Sequence, residues 1–235
     1  MSKKLRHSLS TINTKFNQRV CLHTANLDWQ SSPVLGVDRR MLDRVGKEVA
    51  RATSIVRYAP GSKFSAHTHT GGEEFIVLEG TFQDEHRDYP AGSYVRNPPT
   101  SSHIPRSDKG CMIFVKLWQF EPDDRQYVNS QIPTEGERLL FKDAVETVCQ
   151  KHIKPYEHIN LSHSGGIEIL VLSGELIESF KDNKINILNQ HTWLRIPCGD
   201  GFHAKAGAQG ANLWIKTGHL SRVDEQIKRV MDYIK

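Results

Sequence analysis

An internal repeat is the feature that most limits what this chain can fold into. The run from His163 through Gly165 and Gly166 to Gly174 lies residue for residue over the run from His69 through Gly71 and Gly72 to Gly80. Each has a histidine, a glycine pair, an apolar β-forming stretch and a closing glycine. Further on, Trp193, Arg195 and Pro197 repeat Tyr94, Arg96 and Pro98, and Lys216 repeats Lys116. The repeated unit consists of short β-former runs such as Val49 to Tyr58, Phe82 to His86, Ser93 to Arg96 and Cys111 to Phe120, parted by Gly/Pro turns. With no helical period before Ser221, this pattern predicts an all-β sandwich or barrel in two copies. From Ser221 the period changes. Val223, Ile227, Val230 and Ile234 form a helical apolar stripe, with a variant capping box at Ser221 to Asp224.

The first copy carries the chemistry. On a strand, alternate side chains share a face, so His67 and His69 point the same way. Gly71 and Gly72 supply a tight turn, and the returning strand can bring Glu73 back opposite the two imidazoles. His103, beyond a second turn-rich segment, is the expected fourth ligand. Three imidazoles and one carboxylate suit one divalent metal ion and serve Zn, Fe, Mn or Ni about equally. A closed tetrahedron would be an inert or structural site, whereas an octahedral ion would keep two positions open. Alternation places Phe75 and Val77 beside Glu73 as the walls of an apolar ligand pocket. Tyr94 and Arg96 share a face and are candidates to orient an anionic or carbonyl group, with a salt bridge at a barrel mouth as the competing role for Arg96. Glu74 reads as solvated surface. Trp118 and Trp214 read as core, and His86, His152, His191 and His219 as ordinary histidines.

The second copy has lost ligands. Leu161 stands where His67 stood and Ile167 where Glu73 stood; His163 and His203 remain, with His158 near them, and Glu168 alternates to the wrong face. Two histidines hold a metal poorly without a third donor, so this copy reads as scaffold or an apolar pocket.

The spacing Gly-x5-His-x-His-x3-Glu-x6-Gly, filled by Gly61, His67, His69, Glu73 and Gly80, resembles the first cupin motif. Pro90, Gly92 and His103 resemble the second, without the asparagine that often follows its histidine. The flanks, from Ala52 to Gly61 and from Tyr94 to His103, resemble the cupin domain of ChrR-type anti-sigma factors over about residues 21–120. The resemblance implies two tandem cupin jelly-roll barrels with a short C-terminal helix. It divides the chain into a basic arm (1–20), a metal-binding cupin (21–125), a connection (126–140), a degenerate second cupin (141–220) and the helix (221–235). It also implies a sensory or regulatory metal-binding role in stress response. The alternative is a non-haem Fe(II)-dependent dioxygenase acting on a small dicarbonyl or hydroxyketone, since fold and ligands do not fix function. A sigma factor is not an expected partner, because the His-x3-Cys-x2-Cys spacing of the anti-sigma half is absent. A small-molecule ligand and a homodimer are expected.

Composition bounds the remaining classes. Five basic residues and no acidic one precede Val20, more than the whole net charge of +4. That favours a mobile basic arm over a nucleic-acid-binding surface. Four scattered cysteines without a Cys-x-x-Cys spacing fit a reducing cytoplasm, and no apolar run approaches a membrane span. There is no Gly-rich phosphate loop, nucleophile elbow or basic helix.

Overall fold

Alternation of inward and outward side chains, shifted at a few bulges, builds the molecule, and the repeat makes it do so twice. In the computed structural model, which describes residues 10–180 and 184–235, the chain is all-β apart from two short 3-10 turns and one C-terminal helix. The first sheet runs Ser10–Ile12, Val37–Gly46, Ala50–Tyr58, Cys111–Leu117, Glu73–Gln83, Ser93–Asn97, Val128–Gln131. The second runs Glu137–Lys142, Thr147–Ile153, Gly201–Thr217, Ile167–Ser179, Thr192–Ile196, Val20–His23. The pairings along these two orders are antiparallel.

Each sheet thus ends on a strand lent by the other half of the chain. Val20–His23 pairs with Thr192–Ile196, and Val128–Gln131 pairs with Ser93–Asn97. The segment 126–140, expected to be a connection, therefore contributes a paired strand to the first sheet. Of the basic arm, residues 1–9 lie outside the described residues. Its remainder is docked rather than mobile: Ile12 pairs with Arg44, the Phe16 ring lies under both Arg51 and Arg195, and Arg19 pairs with Glu178 at 2.6 Å.

Alternation also decides what each face does. On Glu73–Gln83 the residues Phe75 and Val77 face the interior of the first barrel, where they pack with Val37, Phe82, Tyr89, Val95, Ile113 and Val115. Their neighbours Glu74 and Ile76 face the second barrel. The second barrel follows the same rule. Ile167, Ile169 and Val171 point inward, into a core that also takes Leu194, Ile196, Phe202 and Leu213. Leu170 joins Ile76, Tyr94, Phe114, Trp193 and Trp214 in a shared apolar seam between the barrels.

That seam also holds reciprocal ion pairs. Lys216 donates to Glu74 Oε2 at 2.6 Å, while Lys116 donates to Glu168 at 2.6 and 2.7 Å. Tyr94 donates to Glu74 and Trp193 to Glu168, both at 2.7 Å, so each carboxylate is satisfied in the same way. Glu74 is therefore not solvated surface but 1 % exposed. Sequence reading missed this because it takes each copy alone, and the partner lysine comes from the other.

The C-terminal helix spans Val223–Tyr233 and follows a 3-10 turn, His219–Arg222. The expected capping box does not form: Arg222 occupies the cap position, and the Ser221 hydroxyl donates back to the Gly218 carbonyl at 2.7 Å. The helix lies on the first barrel. Gln226 accepts from Arg51 at 2.8 Å and donates to the Gln119 carbonyl at 3.0 Å, and the Tyr233 ring packs tilted against Trp118 with centroids 5.0 Å apart. No helix among the described residues is long and apolar enough to cross a membrane.

Candidate metal centre

Three short segments bring the predicted ligands together. His67 opens the two-residue strand His67–Thr68 and His69 follows it; the strand pairs with Ser102–His103 so that His67 stands directly opposite His103. Between His69 and Glu73 the chain reverses at Gly71 and Gly72. Gly72 has a φ of +76°, and a Cβ there would collide with the Phe120 ring, as one at Gly71 would with Trp118. Side chains at these positions would push the turn away from Trp118 and Phe120 and carry Glu73 off the histidines.

The three imidazoles converge. Their ring centroids are 4.5 to 5.1 Å apart, and one nitrogen from each lies within 4.8 Å of the others. His69 Nε2 and His103 Nε2 are 3.1 Å apart. Glu73 Oε2 stands beside them, 3.3 Å from His69 Nε2 and 3.6 Å from His103 Nε2. His69 and His103 are buried, and His67 is open to the adjoining cavity.

Hydrogen-bond chemistry fixes the tautomers. The Ser101 hydroxyl donates its one proton to the Pro98 carbonyl at 2.6 Å, so it accepts from His69 Nδ1–H at 3.0 Å. The Ser65 carbonyl can only accept, so His67 Nδ1, 3.2 Å away, carries the proton there too. His103 Nδ1 faces Asp84 Oδ2 at 3.5 Å, long for a hydrogen bond but well within reach of the carboxylate's charge. The Nε2 atoms of His69 and His103 then face each other, with one nitrogen of His67 within 4.8 Å of both. Two lone pairs at 3.1 Å repel unless a cation lies among them, and the donor set fits a divalent metal ion.

The surroundings hold these groups in place. Asp84 accepts from the His86 and Arg87 amides and from the Tyr89 hydroxyl. Burial works to raise its pKa, but His103 and these donors outweigh it and bring the carboxyl down to about 2. Burial alone would lower His103, yet the neighbouring Asp84 and Glu73 carboxylates raise it on balance. Glu73 is likewise held ionised against its burial by the histidines and by Asn97 Nδ2, which donates to it at 3.1 Å. Behind His103, Phe82 packs at 5.9 Å, and Phe75 and Tyr89 pack on Phe82.

Sequence reasoning did not find Asn97, Ser101 or Asp84. Asn97 was within reach of it, because the register sets Asn97 opposite Glu73. Nothing local marked the other two.

A cavity of about 400 Å³ opens onto His67, His69 and Glu73, between walls that include Val56, Tyr58, Phe64, Ile113 and Val115. None of the four expected pocket groups lines this cavity, for reasons of alternation or depth. Val77 is buried in the barrel core, and Tyr94 and Arg96 face the seam. There the Arg96 guanidinium pairs with Glu146 at 2.7 Å and Asp124 at 2.8 Å and lies over Phe141, so it is structural. Phe75 belongs to the same buried core as Val77 and does not wall the cavity either. The real walls come from the strands Val37–Gly46, Ala50–Tyr58 and Cys111–Leu117, and Trp118, expected in the core, sits half-buried at the cavity's rim.

The second barrel holds no comparable cluster among the described residues. Asn160, not Leu161, stands opposite His203 and pairs with its ring. Both point outward, His158 stacks on His203 at 5.3 Å, and Phe202 and Ala204 take the inward positions.

Residues 17–121 match the model of the ChrR cupin-like domain family. No curated protein matches the chain. Among solved structures, the fold resembles a putative dioxygenase from Nostoc punctiforme, with 15% identity, a TM-score of 0.68 and coverage of 87% of this chain and 84% of that one. It resembles protein YlbA from E. coli, with 16% identity, a TM-score of 0.68 and coverage of 89% and 94%. The bacterial pirin YhhW from Escherichia coli, in complex with nickel(II), is similar at 12% identity, with a TM-score of 0.64 and coverage of 85% and 98%.

Proposed function

We propose that the first barrel, where residues 17–121 match the ChrR cupin-like domain family, is a metal-dependent small-molecule site. His67, His69, His103 and Glu73 hold one divalent cation. The observation that carries this reading is the convergence of three imidazoles with one nitrogen each within 4.8 Å of the others, supported by Ser65 and Ser101 on Nδ1 of His67 and His69 and by the Asp84 charge near His103. When bound, the ion supplies a Lewis acid that polarises an oxygen donor. The protein's own groups do the rest. Asp84 and Ser101 orient two of the rings, Asn97 keeps the Glu73 carboxylate turned toward them, and the apolar walls strip water from whatever enters.

Two uses of such a site are supported by different observations. The match to the ChrR cupin-like domain supports a regulatory role, in which occupancy of the site is the signal. The cavity beside the cluster supports a metal-dependent enzyme acting on a small oxygen-bearing compound, an Fe(II) dioxygenase in its most specific form. A closed structural site would need no such cavity.

Elemental analysis of the untagged protein is the deciding measurement. One equivalent of metal is expected, and His103→Ala should lose it; a variant with full metal content would end the assignment. His163→Ala should leave the content unchanged, because that ring only accepts from the Gly165 amide in its own turn. Iron with substrate-dependent oxygen consumption would select the enzyme, and zinc without it the regulatory role.

A further inference from the structure

The cavity beside the histidines carries a cation that the metal reading does not use. Arg39 and Arg44 sit on Val37–Gly46 at an odd spacing, which in a regular strand would send them to opposite faces. A bulge between Met41 and Asp43 removes one step from the count. Arg39, opposite Val56, and Arg44, opposite Ala52, therefore both line the cavity, while Asp43, opposite Thr53, turns to the seam and pairs with Arg51 and Arg195.

The two arginines differ in what they already hold. The Arg44 guanidinium closes on the Lys47 and Glu48 carbonyls and so braces the turn. Arg39 has a buried Nε with no partner among the described residues. Its terminal nitrogen reaches only Glu48 Oε1, at 3.5 Å, and that carboxylate is 71% exposed. A guanidinium with unspent donors on the wall of an apolar cavity is suited to a planar anion.

We propose that the cavity takes a small organic anion whose carboxylate is bound by Arg39. Its apolar body lies against Val56, Ile113, Val115 and Leu117, and its far end carries an oxygen donor to the histidine cluster. The far end rests on the metal reading above; the Arg39 end does not. Glu48 is an internal competitor that the incoming carboxylate displaces, which its weak contact and exposure permit.

The test compares 4-acetylbenzoate with its neutral isostere 4-acetylbenzamide by calorimetric titration of the full chain. Zinc-loaded and metal-free samples are both titrated, and metal content is measured in each. The acid should bind about tenfold more tightly than the amide in both forms, the scale of a charge-assisted hydrogen-bond pair. Arg39→Gln should abolish that preference while metal content and amide binding stay unchanged. Glu48→Gln should strengthen acid binding. Equal affinity for acid and amide, no measurable acid binding, or a preference that survives Arg39→Gln would overturn the proposal. A chain that takes up no metal yet keeps an Arg39-dependent preference would uphold the anion site and sink the metal reading alone.

Discussion

A histidine becomes a ligand when something else settles which of its nitrogens is bare. At His69 that agent is Ser101, whose own proton is already given to Pro98; at His103 it is the charge of Asp84. Removing either should leave the donor atoms in place but loosen their aim. Asp84→Asn and Ser101→Ala should each weaken metal affinity by about 10- to 100-fold, measured by competitive chelator titration, with the fold retained. Unchanged affinity in both would mean that the rings are held by packing alone, through Phe82 and its neighbours.

Among elements, the exchange of strands is the organising fact. Val20–His23 precedes every strand of the first sheet except the edge strand Ser10–Ile12, yet it completes the second sheet, and Val128–Gln131 completes the first. Each barrel is therefore finished only when the other half of the chain is present. Backbone amides of Val20–His23 should exchange with solvent in step with Thr192–Ile196 rather than with Ala50–Tyr58, as measured by native-state hydrogen exchange. Early exchange of Val20–His23 on its own would mean that the lent strand is only loosely attached. The turn at Gly71 and Gly72 works at the same scale, for it sets the two histidine positions against Glu73 across a fixed reversal.

For the whole molecule, the seam makes stability depend on pH. Burial would raise the Glu74 carboxyl, but Lys216 and Arg96 hold it at about 2, and Lys116 with His219 holds Glu168 well below its ordinary 4.5. Burial pushes His219 down from 6.5 to about 4 although Glu168 lies 2.8 Å away. Depressed carboxyls contribute their stability above the unfolded value and lose it as pH falls toward 2. A histidine kept neutral in the fold is protonated first in the unfolded chain, so its contribution is lost between 6.5 and 4. Stability in urea should therefore fall steadily from pH 7 to pH 3, and added salt should change this little, since the pairs are out of reach of screening ions. Glu168→Gln, which strands Lys116, should cost about 3–5 kcal/mol at neutral pH.

Period-two alternation, the glycine pair and the repeat were enough to read two β units, to single out His67, His69, Glu73 and His103, whose side chains the structure brings together, and to see that their counterparts in the second unit are not all kept. These are local properties: parity along a strand and the turn chemistry of glycine travel with the residues themselves. What alternation leaves open is which of the two faces meets which neighbour. Tyr94, Arg96 and Glu74 obey the expected parity, yet only the packing of one barrel on the other turns that face into a buried seam instead of a pocket or open surface. The bulge before Asp43 that brings Arg44 into line with Arg39, and the Asp84 and Ser101 contacts, arise where distant segments meet. No window of sequence contains both sides of those contacts, so only the tertiary structure could decide them.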